Sequence, residues 1–573
     1  PIIGQPFIAR GLFVDLPVRH PAEPSGPVEY DPASVAGKQP PIADETDLLV
    51  IGAGPAGLAA ALAASNRGVR VTLIDENPVP FETMGEEIPL HFGSRMGTVV
   101  ANRNAMLEAL LESTPELADA LEAGVDVRLG TVAWGLFPQR PTAAWIDGCV
   151  AGLADEDRAY LLRFKQVIVA SGSRDMGLAF SGWERPGVMG ASAAYRLAMI
   201  YGALSARVAV VVGSSTATLQ IANALSEKGV RIAAVIEQGE TVTGDAALLA
   251  QLVTKGTQVL TRHVIERGEG ATGPGEVEAV TVAAVDANGR HRKDESKRLA
   301  CDTVLLGIAT IPAIELLEAA GCETAFIPER GGHVARIDEA QRTSLPFIFA
   351  AGDCAGTWAA KSVAPSIARR EGRIAAAAAL SALGVNDREV AYEPPVVPDM
   401  DDADPAGERC AWVRASVIEG VGEPYVCQCE EVTAAEILLV RPPRYIGWES
   451  KNDNEHTHTL AQLAGDGPPN PDIVKRLTRA SMGPCQGRRC REQVAALLSI
   501  GSGTELAAIP VATFRSPVRP LPLRQLSALE EVPELGKHWD SWFGMASQWV
   551  PFWRPVPLYT AAGRERGAAV ASE

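Results

Sequence analysis

Four cysteines stand in two close pairs late in the chain. Tyr425–Val432, YVCQCEEV, supplies Cys427 and Cys429, and Met482–Arg491, MGPCQGRRCR, supplies Cys485 and Cys490. The pattern is C-x-C, 55 intervening residues, then C-x4-C. Four thiolates brought together suit zinc or a [2Fe–2S] cluster. Gly483-Pro484 before Cys485 and the helix expected after it would aim backbone N–H groups at sulfur. Arg488 and Arg489 would offset negative charge. His456 and His458, in NEHTH, lie in a polar stretch bounded by Gly and Pro and read as a solvated loop. Cys149, Cys301, Cys322, Cys354 and Cys410 are scattered and read as core or surface thiols.

A second group of residues points to a dinucleotide. Asp47–Asp75 reads DLLVIGAGPAGLAAALAASNRGVRVTLID. An apolar strand meets Gly52-Ala53-Gly54-Pro55-Ala56-Gly57, an Ala/Leu helix follows, and a second strand ends on Asp75. Gly52 makes the tight turn, Gly54 lets a pyrophosphate approach, and Gly57 lets helix and strand pack closely. The helix N-terminus faces the phosphates. Asp75, 23 residues after Gly52, is placed for the ribose hydroxyls, with Glu76 as the alternative. Val132 is placed to touch an adenine. Gln166–Ser173, QVIVASGS, is a strand meeting a small-residue turn, so Ala170 and Gly172 would close against phosphate. Phe347–Ala351 runs into Gly352-Asp353, where a carboxylate can accept a hydrogen bond from a flavin's ribityl chain. These residues predict bound FAD. A flavin that takes a two-electron hydride calls for a one-electron outlet, which redox-inert zinc cannot supply. That context favours the iron–sulfur reading of the four cysteines.

The strand–turn–helix–strand layout occurs twice. Arg207–Glu237 repeats it, but its turn reads Gly213-Ser214-Ser215-Thr216-Ala217-Thr218, and the second strand ends on Glu237. Ser215 and Thr218 replace the glycines that admit phosphate and close packing. Glu237 would repel a 2′-phosphate. Three occupants stay open here: NADH, another adenine nucleotide, or none.

These elements predict an α/β chain with two Rossmann-like domains of the FAD/NAD-linked reductase type and a small C-terminal cysteine domain. The expected boundaries are an N-terminal arm over 1–44, a discontinuous FAD domain over 45–175 and 338–390, and a second nucleotide domain over 176–337. A linker over 391–422, a cysteine domain over 423–500 and a tail over 501–573 follow. The tail begins Pro- and Arg-rich in Phe514–Leu526. It then gathers Trp539, Trp542, Trp549 and Trp553 with Phe543, Phe552 and Tyr559, anchors that suit a protein partner. The 573 residues carry 70 acidic and 52 basic side chains, a formal charge of −18, which argues against nucleic acid as the main partner. No basic segment followed by an apolar run opens the chain, and the cysteine usage is not that of a secreted disulfide framework. The expected location is cytoplasmic, with peripheral membrane association as the alternative. Glu76–Gly97 lacks the redox cysteine pair found here in disulfide-reducing flavoenzymes, so thiol chemistry at the flavin is not expected.

VIGAGPAGLAAA with LIDE, RPGVMGASAA, the AAGDCAG turn, YVCQCEEVT and TRASMGPCQGRRC together resemble the alpha subunit of the opine (octopine/nopaline) dehydrogenase-type flavoenzymes. These are akin to subunits of hydrogen cyanide synthase, dye-linked L-proline dehydrogenase and heterotetrameric sarcosine oxidase. The resemblance spans roughly residues 45–525. It implies a C-terminal [2Fe–2S] domain of the bacterioferritin-associated ferredoxin type. It also implies an FAD-containing beta subunit that oxidises an amine, amino acid or opine, an FMN between the subunits, and a small third subunit in some complexes. This chain would then relay electrons to an external acceptor and supply no general acid or base. A self-contained NAD(P)H-dependent FAD reductase with an iron–sulfur centre is the competing reading. The family's Gly-Gly-Gln run after the acidic strand end is replaced by ENPVPFETMG, and an insertion falls near Gly447–Asn470.

Overall fold

The computed structural model describes residues 41–78, 103–139, 146–271, 275–385, 393–398, 404–444, 460–465, 467 and 469–527. The arm before residue 41, most of Glu76–Gly97, His456, His458 and the aromatic run 538–559 lie outside these residues.

The first sheet begins with β1 (Asp44–Ile51), which leads through the glycine turn into helix α1 (Pro55–Ala64) and β2 (Val71–Asp75). β3 (Asp126–Leu129), β4 (Val132–Phe137), β5 (Cys149–Ala154) and β6 (Ala159–Val169) follow, in the order β3-β2-β1-β6-β5-β4. β1 to β3 and β6 are parallel, whereas β4 and β5 form the antiparallel excursion. β1 is apolar without alternation, and Leu48, Leu49 and Val50 are fully buried, as a strand covered on both faces requires.

The second sheet takes β7 (Val188–Gly190), β8 (Val208–Val212), helix α2 (Thr216–Glu227), β9 (Arg231–Glu237) and β10 (Gln258–Thr261). β11 (His263–Glu269), β12 (Ala279–Val285) and β13 (His291–Ala300) form an antiparallel meander beside it. β14 (Thr303–Leu306) returns to the sheet, whose parallel order is β10-β9-β8-β14-β7. The chain then re-enters the first sheet as β15 (Ile348–Ala350), beside β6, and continues into helix α3 (Pro365–Ala382). The first sheet is therefore built from two separate stretches of the chain.

The expected linker over 391–422 is only partly one. Residues 405–413 form helix α4, which a further helical turn carries to Ile418. Trp412, Val413, Ala415 and Val417 are buried in one core with Val212 and Ile236 of the second sheet and with Cys427, Cys490 and Leu497. The cysteine segment ends in helix α5 (Arg491–Ser502). It shares its hydrophobic core with the second domain, because α5 is too short and too apolar to bury itself. Trp183 sits at the centre of that shared core. It is wholly buried, its indole N–H donates to the Tyr425 carbonyl at 2.8 Å, and the Arg489 guanidinium lies 5.0 Å from its ring centroid. Residues 509–527, grouped by sequence with a partner-binding tail, pack on this chain instead: Ile509, Ala512, Phe514 and Val518 are buried.

Trp183→Ala should cost about 3–5 kcal/mol, the usual penalty for emptying an aromatic core site. Denaturant unfolding of the full chain measures it. A loss below about 1 kcal/mol, the scale of a single hydrogen bond, would show that the shared core does not depend on this side chain.

Candidate functional site

The strand register brings the first set of residues together. Ile51 pairs with Ile74 and with Val169, and Val169 pairs with Ala350. The four parallel strands therefore end level, and Gly52, Asp75, Ala170 and Gly352 follow within two residues of those ends. The carboxyl edge of a parallel sheet is where open α/β folds bind ligands. Gly52 has φ +108°, and a Cβ there would lie 2.3 Å from the Ala170 carbonyl oxygen. A Cβ on Gly54, by contrast, would meet nothing within 4 Å. The turn is thus tight at its root and open where a pyrophosphate would lie. Pro55 starts α1, where its missing N–H costs nothing. Ala56 is buried in that first turn.

Asp75 braces this turn. Its Oδ2 accepts from Ala53 N at 2.6 Å, and its Oδ1 accepts from Asn77 N and Nδ2, both at 2.8 Å. The Tyr201 hydroxyl donates to Asn77 Oδ1 at 2.8 Å. Burial, with Asp75 nearby, pushes the Tyr201 phenol up to about 12, so it stays a donor. Glu76 forms an ion pair with Arg519. Val132 opens β4 beside Thr131, whose N–H donates to the Asp75 carbonyl at 2.8 Å.

Across the cradle, Asp353 follows Gly352, and its Oδ2 accepts from Ser173 Oγ at 2.8 Å. A buried ion pair fixes this turn, and the sequence did not announce it. Lys361 Nζ donates to Glu371 Oε2 at 2.6 Å and to the carbonyls of Gly352 and Gly356 at 2.7 and 2.9 Å. Both side chains are 0% exposed. Glu371 Oε2 also accepts from Gly352 N at 2.8 Å, while its Oε1 is buried without a partner. Burial raises the Glu371 carboxyl above its usual range, against the pull of Lys361. A Lys and a Glu ten apart around an Ala-rich helix carry no motif.

The second set of residues also converges. Cys427 Sγ lies 4.0 Å from Cys429 Sγ, and Cys429 Sγ lies 3.6 Å from Cys485 Sγ. Ser481 joins the two arms: its N–H points to Cys427 Sγ at 3.5 Å and its hydroxyl lies 3.2 Å from Cys490 Sγ. Hydrogen bonds from Cys427 and Cys485 hold the Cys429 thiol well below the ordinary thiol range. A Cβ on Gly483 would sit 2.4 Å from Cys429 Sγ, so only glycine lets the backbone come this close to sulfur. Arg489 is half-buried, and the surrounding thiols counter the desolvation that lowers its proton affinity. Arg488 is likewise lowered by burial and donates to the Cys485 carbonyl at 3.2 Å. Among the described residues, no three His, Cys, Asp or Glu side chains are arranged as a ready site for a single metal ion. None of the nine cysteines is in a disulfide.

The two sets adjoin. Ser173, which holds Asp353, precedes Arg174, whose Nε donates to the Arg488 carbonyl at 3.1 Å. Ala179 N then donates to Gln493 Oε1 at 2.7 Å.

The second glycine turn is filled from within. A Cβ on Gly244 would lie 2.4 Å from the Ser214 carbonyl oxygen and 2.7 Å from Thr216 N. Thr243 N donates to Ser214 Oγ at 3.1 Å, and Asp245 N to Thr216 Oγ1 at 3.1 Å. Loop 241–245 therefore lies over the backbone that would cradle a pyrophosphate. Glu237 is buried and accepts from Ser214 Oγ at 2.6 Å and Gly239 N at 2.9 Å. Thr218, in place of the third glycine, donates to the Gly307 carbonyl at 2.8 Å. A Cβ on Gly307 would lie 2.5 Å from Thr218, so the small residue has moved to the facing strand end.

Comparison with known proteins places this architecture. The profile for pyridine nucleotide-disulphide oxidoreductases matches residues 46–379. The chain belongs to that family. It is a flavin-dependent oxidoreductase. The sarcosine oxidase A3 domain profile matches residues 452–530, and so takes the second cysteine pair and the segment after α5 as one unit. An opine oxidase subunit of Agrobacterium tumefaciens is 28% identical, over 85% of this chain and 92% of that one. The HcnB subunit of hydrogen cyanide synthase from Pseudomonas protegens is 28% identical, over 77% and 89%. Among solved structures, L-proline dehydrogenase from P. horikoshii superposes with a TM-score of 0.51 at 20% identity, covering 84% of this chain and 79% of that one. No described helix is long and apolar enough to cross a membrane.

Two outcomes follow from this geometry. Glu371→Gln strands the buried Lys361 charge and should cost about 3–5 kcal/mol, with Lys361→Met in the same chain recovering part. Unfolding midpoints measure both, and a neutral single variant would refute the role of the pair. The filled second turn also predicts that NADH will not reduce the flavin of the purified chain. Anaerobic stopped-flow absorbance checks this, and rapid bleaching would contradict it.

Proposed function

We propose that this chain is the electron-relay subunit of a heteromeric flavin/iron–sulfur dehydrogenase. A partner subunit would oxidise an amine, amino acid or opine at its own FAD, and this chain would pass the electrons to an external acceptor. The observation that carries the reading is the adjacency of the two residue sets. The Ser173–Arg174 dipeptide touches Asp353 on one side and the Arg488 carbonyl, between the paired cysteines, on the other.

In this reading Gly52, Gly54, Pro55, Ala56 and Gly57 receive the FAD pyrophosphate. Asp75 and Glu76 take the ribose and Val132 the adenine. Ala170, Gly172, Gly352 and Asp353 face the flavin half. Cys427, Cys429, Cys485 and Cys490 are the cluster ligands. Two thiolates on one tetrahedral metal, each bonded at about 2.3 Å, stand about 3.8 Å apart. The 4.0 Å contact between Cys427 and Cys429 suits such a pair on one iron. When bound, the flavin accepts electrons in pairs and the cluster passes them singly. The chain's own part is to hold the centres close, keep water from the thiolates, and set half-buried arginines against their charge. An FMN where the subunits meet, and a small third subunit, belong to the same proposal.

The relatives support this in kind: both curated ones are named as subunits, of opine oxidase and of hydrogen cyanide synthase. The loop over the second glycine turn counts against a self-contained NAD(P)H reductase.

Anaerobically purified full-length chain should hold about two irons and two labile sulfides, with a paramagnetic signal after dithionite. Cys485→Ser should abolish that signal, leave FAD bound, and lower substrate-driven dye reduction by the complex more than flavin reduction. Stoichiometric zinc without labile sulfide would refute the relay.

A further inference from the structure

The segment after α5 brings to the adenosine end of the first site a side chain that no glycine motif announces. It starts beside the second cysteine pair. The Arg491 guanidinium lies 3.3 Å from the Phe514 ring centroid, and Thr513 N donates to Asp472 Oδ1 at 3.1 Å. It next passes the short helix Glu315–Ala320, where Phe514 N donates to Glu318 Oε2 at 2.7 Å. It then reaches the first sheet: Val518 N donates to the Trp134 carbonyl of β4 at 2.8 Å. Arg524 donates to the Glu156 carbonyl at 3.0 Å, beyond β5.

Between these anchors, Arg519 turns toward the end of β2. It pairs with Glu76, next to Asp75, and the Asp75 carboxylate acts on its charge. The corner is the one where Val132, Asp75 and Glu76 would meet adenosine. About a third of the Arg519 side chain remains exposed. A guanidinium has five N–H donors in a planar fork, and Glu76 engages Nη2. The fork therefore has donors for a further acceptor, such as a ribose hydroxyl or a phosphate oxygen.

We propose that Arg519 is a cofactor-binding residue: held by Glu76, its guanidinium closes the adenosine corner of the FAD site. This rests on FAD occupying the first cradle. The segment then does two jobs, because it is anchored beside Cys490 at one end and against the adenosine corner at the other. Sequence motifs for dinucleotide binding miss it, since it lies more than 440 residues after Glu76.

The test uses full-length chain, wild type and the variants R519A, R519Q and R519K, loaded with FAD. The rise in fluorescence as FAD leaves gives the dissociation rate. Melting is followed with and without added FAD. R519A and R519Q should release FAD about tenfold faster, the worth of one charge-assisted hydrogen bond, and R519K should recover part of the loss. The FAD-dependent rise in melting temperature should shrink, while the FAD-free melting temperature of R519Q stays near wild type. If R519A fails to fold, R519Q carries the test. Unchanged FAD release in R519Q, or equal melting losses with and without FAD, would overturn the proposal and leave the FAD reading intact. A wild-type chain that binds no FAD would overturn both.

Discussion

At the carboxyl end of the first sheet, a Cβ on Gly57 would lie 1.7 Å from the carbonyl oxygen of Gly52. That backbone-on-backbone contact is the constraint on which the first site depends. It seats the first turn of α1 directly on the glycine turn, with Ala170 closing from β6. The strands end level, so everything placed one or two residues beyond them meets at one crevice. The N–H groups of α1 then point where a dinucleotide's negative charge would sit. From the other side, the Lys361 ammonium ties Gly352 and Gly356 with one hydrogen bond each and gives a third to Glu371. Removing two charges from water is costly, and the return here is a rigid turn in front of Asp353.

The cysteine region depends on the rest of the chain for its own order. Two short arms and α5 cannot bury enough apolar surface alone. They borrow it from Trp183, Phe180 and the second sheet. The same packing carries Arg489 inward against Trp183 and puts the Arg488 carbonyl on Arg174. Proximity between the two residue sets is therefore a consequence of core formation. Within the stretch expected to be a linker, residues 405–418 form a helical segment whose Trp412, Val413, Ala415 and Val417 belong to this core.

The second Rossmann domain keeps its helix–strand packing although its glycine turn is covered. Close helix–strand packing needs one small residue at the contact, and the exchange of Thr218 with Gly307 keeps it. Phosphate approach needs an open face, and Gly244 covers it. Glu237 braces this turn through Ser214 and Gly239, as Asp75 braces the first through Ala53 and Asn77. Close packing and phosphate access place separate demands on the same turn.

The sequence alone determined what depends on local chemistry. Glycine spacing, apolar strands and a terminal acid define the first cradle, because turn geometry and phosphate access act within about thirty residues. The cysteine pairs mark four thiols by residue type and spacing. The doubled layout and the late Gly-Asp turn together specify a discontinuous first domain. What only the tertiary structure decided involves partners far apart in sequence. It buried Lys361 against Glu371, moved a glycine's role from position 218 to position 307, laid loop 241–245 over a turn, and made residues 405–418 part of the core. It also returned Arg519 to Glu76. Each of these is a steric or electrostatic match between surfaces that do not exist until the sheets have formed, and no periodicity or motif encodes it.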